Sequence, residues 1–486
     1  VSGFSRVGPV AVASILLPSA AIDYVPGGVV VVEPNLAPTI GVTGPVRQLV
    51  RPDQVAELLG VEEEVAAGIS ADMDFRSQLG FRADLDYVAG LWLKPEANGA
   101  DADNPDLHMT TAEVREYYER IRLAEVSGPL TDQILGSETA PSFGGTWLDH
   151  SSGQLVVNAA GADQFAMEEV LVSASALKGV PQERVRVDSV QTPLRLLLAT
   201  QEQIGWLLDS SKADSGVVVT HVDIRRNAIV VDEFAGYPSD VRDGVSAAGQ
   251  AAGVSIIFQQ APAFAATSGT LRDDVDAPPA IAGHGIYVGN DGQAPTDAYE
   301  KCTLGFKVSR ASQPQKPFNL TSGHCMTGID AEIDSKVYYR GTMTADQTVG
   351  FNRGFLVTPT YDLGLVEMLQ DAPAKVVVSA SANSYRKVNY LWYSLAQGTP
   401  ICMVGATSNL RRCGTVQTWE GSDGEMLLNI AGVLPGDSGG PVYTERPDLS
   451  AGAAGIVRSA SSTQMKASNL TTDLSLFCSD CSVAAY

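Results

Sequence analysis

The sequence predicts two units of different class. An all-β unit over residues 301–486 follows an α+β unit that contains two β-β-α-β copies. Three observations carry this. From Cys302 onward, short β-branched and aromatic runs alternate with turn clusters, and helical periodicity is scarce. Between residues 141 and 262 the chain repeats itself at an offset of 74 residues. Before the repeat, residues from about 61 to 125 carry helical periodicity.

In chain order, residues 1–21 come first. Arg6 precedes an apolar stretch, Val7 to Leu17, and then Pro18-Ser-Ala-Ala21, the order of a secretory signal. Residues 22–140 form a lead-in and a helical part. The lead-in, to residue 60, is rich in Pro, Gly and Val and is expected to be poorly structured. Val114, Tyr117, Tyr118 and Ile121 share one helix face, and Thr111 is placed to cap that helix.

The repeat pairs Thr146-Trp-Leu-Asp-His-Ser-Ser-Gly-Gln-Leu-Val-Val157 with Thr220-His-Val-Asp-Ile-Arg-Arg-Asn-Ala-Ile-Val-Val231. Gly153 and Asn227 fall at the same point, where a hairpin turn needs positive φ. Helices are expected over Ala162–Lys178 and Ser239–Ala252, each followed by a strand. Residues 263–300 return to Ala, Pro, Gly and Asp and read as an exposed linker, a natural place for proteolysis. In the last unit, strands are expected at Gly305–Val308, Lys336–Tyr339, Phe355–Val357, Leu363–Met368, Val376–Ser379 and Met426–Ile430.

Charge and cysteine are divided along the same line. The net charge is −23. Residues from Ile281 onward hold 15 Lys and Arg against 18 Asp and Glu, which leaves 18 against 38 for the first 280. Such acidity argues against nucleic-acid partners and acidic membrane surfaces. All six cysteines (Cys302, Cys325, Cys402, Cys413, Cys478 and Cys481) lie in the near-neutral part. That points to disulfides and an oxidising compartment, with free buried thiols as the alternative.

Three segments carry chemistry. They are Leu320-Thr-Ser-Gly-His-Cys325, Thr360-Tyr-Asp-Leu-Gly-Leu-Val366 and Leu434-Pro-Gly-Asp-Ser-Gly-Gly-Pro-Val442. A serine hydroxyl needs an adjacent base, histidine suits that role near neutral pH, and a buried carboxylate fixes the imidazole tautomer. His324, Asp362 and Ser438 supply these groups, and the amides of Gly436 and Ser438 are assigned to an oxyanion. Asp330, Asp334, Asp346 and Asp371 are rivals for the carboxylate, but only Asp362 opens an apolar strand that would bury it. Asp437 is expected to form an internal ion pair, and His108, His150, His221 and His284 to be surface or hairpin residues. No phosphate loop or His-Glu-x-x-His pattern is present, so neither cofactor nor metal is expected.

These motifs, in the order His, Asp, Ser, resemble the chymotrypsin-fold serine peptidases. Cys302-Thr-Leu-Gly-Phe-Lys-Val308 and Cys413-Gly-Thr-Val416 resemble the bacterial branch of streptogrisins and α-lytic protease. The resemblance covers about residues 300–486. It implies two six-stranded antiparallel β-barrels, disulfides Cys302–Cys325 and Cys402–Cys413, each contributing ~3 kcal/mol, and polypeptide substrates. It also implies a secreted monomer whose N-terminal part is a propeptide that assists folding, inhibits the enzyme and is then cut away. Two features depart from the family. The cysteine usually found before Pro-Gly-Asp-Ser is missing, and Cys478-Ser-Asp-Cys481 offers a local loop, a redox pair or half a metal site. The substrate strand reads Gly455-Ile-Val-Arg-Ser-Ala460, so Arg458 replaces a serine that supports the catalytic Asp. A cation there would either hold Asp362 ionised or draw it from His324. A non-catalytic binding protein is therefore the rival reading. With no carboxylate in residues 431–435, uncharged substrate side chains are expected.

Overall fold

The first copy of the repeat is a hairpin of strands Phe143–Asp149 and Gln154–Ala160, with strand Val185–Val190 added in parallel across the helix Gln164–Ser173. The second copy has the same plan: strands Val219–Asp223 and Ala228–Glu233, helix Ser239–Ala252 and strand Ser255–Gln260. Register repeats as well, Thr146 facing Val157 and Thr220 facing Val231. Gly153 (φ +67°) and Asn227 (φ +51°) take the positive φ that the turns require. The computed structural model describes residues 51–161, 164–210, 219–233, 238–260, 281–289, 301–327, 335–339, 348–358, 361–379, 384–408, 411–419 and 425–485. The signal-like segment 1–21 lies outside them, as does most of the lead-in.

Helices Pro52–Leu59, Glu63–Gln78, Leu85–Leu93 and Thr111–Leu135 precede the repeat. The first of these corrects the lead-in, which reaches a helix before residue 60. The cap of the long helix is Thr110 rather than Thr111. Its hydroxyl accepts the Glu113 amide while the Glu113 side chain reaches back, a reciprocal capping box. Val114, Tyr117 and Ile121 are buried as the periodicity requires. They share one apolar cluster with Phe75 and Leu79, and with Val404, Tyr443 and Ile456 of the C-terminal region.

Among the described residues the C-terminal region forms two eight-stranded sheets. In the first, the strand order is Cys481–Val483, Lys307–Arg310, Phe318–Thr321, Asp362–Met368, Thr348–Val357, Lys336–Tyr339, Gly285–Gly289, Lys301–Thr303, antiparallel throughout. In the second, Ser450–Ala460, Pro441–Glu445, Pro400–Val404, Arg411–Thr418, Glu425–Leu428 and Met465–Asn469 close into a ring, because the last pairs with the first. Hairpin Lys375–Ser379 and Ser384–Leu391 extends that ring through a parallel pairing, Lys387 facing Ser450. Two six-stranded antiparallel barrels were expected; one closed six-stranded ring and one curled sheet, unclosed among the described residues, are found.

The linker expectation is corrected in part. Gly285–Gly289 is a strand between Lys336–Tyr339 and Lys301–Thr303. Ile286 and Val288 bury against the Cys302 and Cys325 side chains. The flanking residues 261–280 and 290–300 lie outside the described residues.

Candidate functional site

Strand Phe318–Thr321 ends at a tight turn that delivers His324. Gly323 makes the turn possible: a Cβ there would lie 2.6 Å from the Leu356 carbonyl oxygen. Disulfide Cys302–Cys325 ties the next residue to strand Lys301–Thr303, and the Ser322 hydroxyl donates to Val457 O across to the other sheet (2.6 Å). Asp362 opens the neighbouring strand and is 2% exposed. Its Oδ1 accepts the main-chain amide of His324 (2.7 Å) and its Oδ2 lies 2.6 Å from His324 Nδ1. The carboxylate therefore fixes both the backbone and the ring of the histidine, and with Nδ1–H as donor the basic lone pair is on Nε2. Among the rivals, Asp371 pairs with Lys307 at the surface. Asp330, Asp334 and Asp346 lie outside the described residues.

Ser438 sits in a turn built from glycine and one buried carboxylate. Gly436 (φ +90°) and Gly439 (φ +88°) take left-handed conformations. Asp437 is fully buried and accepts three backbone amides: Thr407 (2.9 Å), Ser408 (2.8 Å) and Leu434 (2.8 Å). Burial pushes its carboxyl above the ordinary range, against the pull of those amides. The expected internal ion pair is thus replaced by an amide cage. Thr303 fastens the turn to strand Lys301–Thr303, its amide donating to Ser438 O and its hydroxyl to Gly436 O, both at 2.7 Å. The amides of Asp437, Gly439 and Gly440 are spent on carbonyls. Those of Gly436 and Ser438 donate to no acceptor among the described residues, which leaves two N–H groups for an oxyanion. The Ser438 hydroxyl donates to the Arg458 carbonyl at 3.4 Å; among the described residues it makes no hydrogen bond to His324.

Arg458 approaches Asp362 as the sequence implied, Nε standing 3.7 Å from Oδ2. It has not drawn the carboxylate away, since both bonds to His324 are intact. Arg458 also meets a group that sequence reasoning missed. Glu425 forms an ion pair with the Arg458 guanidinium and, through its other oxygen, with Lys466 (2.8 Å). No local motif marks Glu425, because it meets Arg458 only across strands.

The remaining sites are structural. Cys402–Cys413 and Cys478–Cys481 are disulfides, and no cysteine is free. The local-loop reading of the last pair is the one found. His150 and His221 lie in the two hairpins, as expected, but both are packed inward rather than set on the surface. His150 Nε2 meets Gly398 O (2.6 Å) and Nδ1 faces Arg120 (3.1 Å); His221 is wholly buried against Gln417. Both lie where the duplicated unit meets the closed ring, and burial lowers the pKa of each. His108, with positive φ, stacks on Trp92 and pairs with Asp72. His284 is partly buried beside Ile281.

No family model and no curated protein matches the chain. Solved structures do, over its C-terminal part. A Nocardiopsis protease is 20% identical and covers 40% of this chain and 95% of its own, with a TM-score of 0.31. A glutamic acid-specific serine protease, described as binding substrate through a histidine triad, is 20% identical over 41% of this chain and 97% of its own, TM-score 0.31. An α-lytic protease homologue is 15% identical over 40% and 96%, TM-score 0.31. Among the described residues no helix is long and apolar enough to cross a membrane.

Proposed function

We propose that the chain is the precursor of a secreted, chymotrypsin-like serine endopeptidase. The observation that carries this is the double grip of Asp362 on His324, beside a serine turn with two unspent amides. In the reaction, Ser438 Oγ bonds to the scissile carbonyl carbon as His324 Nε2 takes its proton. The carbonyl oxygen gathers negative charge against the amides of Gly436 and Ser438. His324 returns the proton to the leaving amine, which departs with the broken C–N bond. Water then repeats the cycle on the acyl-enzyme. The ground-state serine bond to Arg458 O has to be exchanged for one to His324, a rearrangement consistent with a site that tightens only around substrate. Uncharged side chains are the expected substrates. Three disulfides favour an extracellular setting.

Residues 22–280 act as the propeptide. They carry most of the acidity and hold the closed ring by several polar ties. Arg412 donates to Ala67 O (2.9 Å), Thr415 to Gln78 (2.9 Å), and Arg446 pairs with Glu125 (3.1 Å). Gly285–Gly289 belongs to the first sheet, which supports a cut before Ile281 that leaves this strand in the mature enzyme.

The test is intact mass and N-terminal sequence of secreted protein, before and after a fluorophosphonate probe. One adduct on Ser438, on a fragment starting between 263 and 281, is expected. Ser438→Ala is expected to fold and remain unlabelled. Label on Ser438→Ala, or a mature fragment lacking residues 285–289, overturns the assignment.

A further inference from the structure

Four charged groups alternate in sign behind the His324–Asp362 pair. Asp362 and Glu425 are 2% and 4% exposed, Arg458 and Lys466 17% and 12%. Each comes from a different strand: Asp362–Met368, Ser450–Ala460, Glu425–Leu428 and Met465–Asn469. Arg458 thereby spans both sheets. Its Nη2 donates to Thr358 O (3.0 Å) in the first, and its Nη1 pairs with Glu425 in the second.

An arginine beside a carboxylate favours a two-bond fork at about 2.7–2.9 Å. Arg458 does not adopt it with Asp362. It stays at 3.7 Å through Nε alone, while Thr358 O and Glu425 occupy its Nη atoms. Asp362 is left free to hold His324 through both oxygens.

We propose that Glu425 is a positioning residue: it restrains Arg458 and so keeps Asp362 for His324. This rests on the serine-peptidase reading. Without the Glu425 charge, the carboxylate nearest the guanidinium among the described residues is Asp362. The fork closes on it, and the imidazole loses the partner that sets its tautomer.

The test is an epistasis measurement on the secreted protein. Glu425→Gln is expected to lower kcat by about 10²-fold with KM unchanged, the scale of a displaced catalytic group. Adding Arg458→Ser to Glu425→Gln is expected to restore kcat to within about threefold of Arg458→Ser alone, because the competitor has gone. A residue that only packs would give a double variant no better than the single one. That result, or a Glu425→Gln enzyme within about twofold of the parent, overturns the proposal. Glu425→Asp keeps a charge and serves if Glu425→Gln does not fold; a smaller loss, again relieved by Arg458→Ser, supports the proposal, and unrelieved loss overturns it. The downfield proton resonance of the His324 Nδ1–H···Asp362 bond reads the same geometry without turnover. Its loss in Glu425→Gln and return in the double variant support the positioning role even if the parent neither hydrolyses peptides nor labels at Ser438, an outcome that would sink the peptidase reading alone.

Discussion

Acidification is expected to loosen the folded chain through His150. Its ring is wedged between two regions: Nε2–H donates to Gly398 O of the closed ring (2.6 Å), and Nδ1 accepts from Arg120 of the long helix (3.1 Å). A second proton would have to sit on Nδ1, against the guanidinium. Burial first, and then Arg120, push the pKa from 6.5 down to about 4; the Gly398 bond and Asp149 oppose this, and Arg225 adds to it. The folded value is below the unfolded one, so the unfolded chain binds more protons between them. The stability due to the neutral ring is thus fully present above about pH 6.5 and is lost as pH falls toward 4. Between pH 7 and pH 4.5 that loss is about 2–2.5 kcal/mol. The assay is urea unfolding of the Ser438→Ala chain, followed by tryptophan fluorescence, with and without His150→Gln. Glutamine keeps one donor and one acceptor but cannot ionise. The parent should lose about 2 kcal/mol more than the variant on acidification. His221, also shifted downward, contributes to both and cancels. Equal losses in the two proteins would refute the reasoning.

Two further outcomes follow from the same geometry. Gly439→Ala places a Cβ 2.2 Å from both Thr303 O and Thr321 Oγ1 at φ +88°, so destabilisation above about 3 kcal/mol, or failure to secrete, is expected in thermal unfolding. Gln397 donates to Asp223 (3.0 Å) and accepts the Arg225 amide (3.0 Å); Gln397→Ala should cost about 1–3 kcal/mol and speed hydrogen exchange in the second copy before the first.

Legibility in the sequence followed the range of the interaction. The hairpin turns at Gly153 and Asn227 were readable because positive φ is a demand of four adjacent residues. The pairing of His324 with Asp362 was readable because each lies in a short segment whose glycines and apolar neighbours serve the same local geometry. The cap was misplaced by one residue because Thr110 and Thr111 are equally able to cap, and only the reach of Glu113 back to Thr110 decides. Gly285–Gly289 was hidden inside Gly- and Pro-rich flanks; its five residues become a strand only when Lys336–Tyr339 and Lys301–Thr303 enclose them. Ring closure was illegible for a related reason. A period of two marks a strand but not its neighbours, and the parallel Lys387–Ser450 register has no local signature. Asp437 was expected to pair with a cation, yet three converging amides satisfy its carboxyl oxygens instead.

The junction between the two regions combines terms of opposite character. Tyr117 of the long helix and Tyr443 of the ring are fully buried in one cluster, and exposing an aromatic side chain costs about 1.5–3 kcal/mol. Beside them lies a layer of charge. Arg411 pairs with buried Glu445 (2.9 Å) and donates to the Asp106 carbonyl, while Arg386 reaches the Asp106 carboxylate at 3.5 Å. Charges held away from water forfeit hydration that their pairing only partly repays. When the helices leave, the tyrosines lose cover but Arg386, Arg411 and Asp106 regain solvent. The second term offsets the first. An interface of this composition selects its partner by placing acids on arginines, yet holds it less tightly than an apolar interface of equal area would. If residues 22–280 act as the propeptide proposed above, folding against the ring and afterwards coming away from it, that balance matters more than maximal burial.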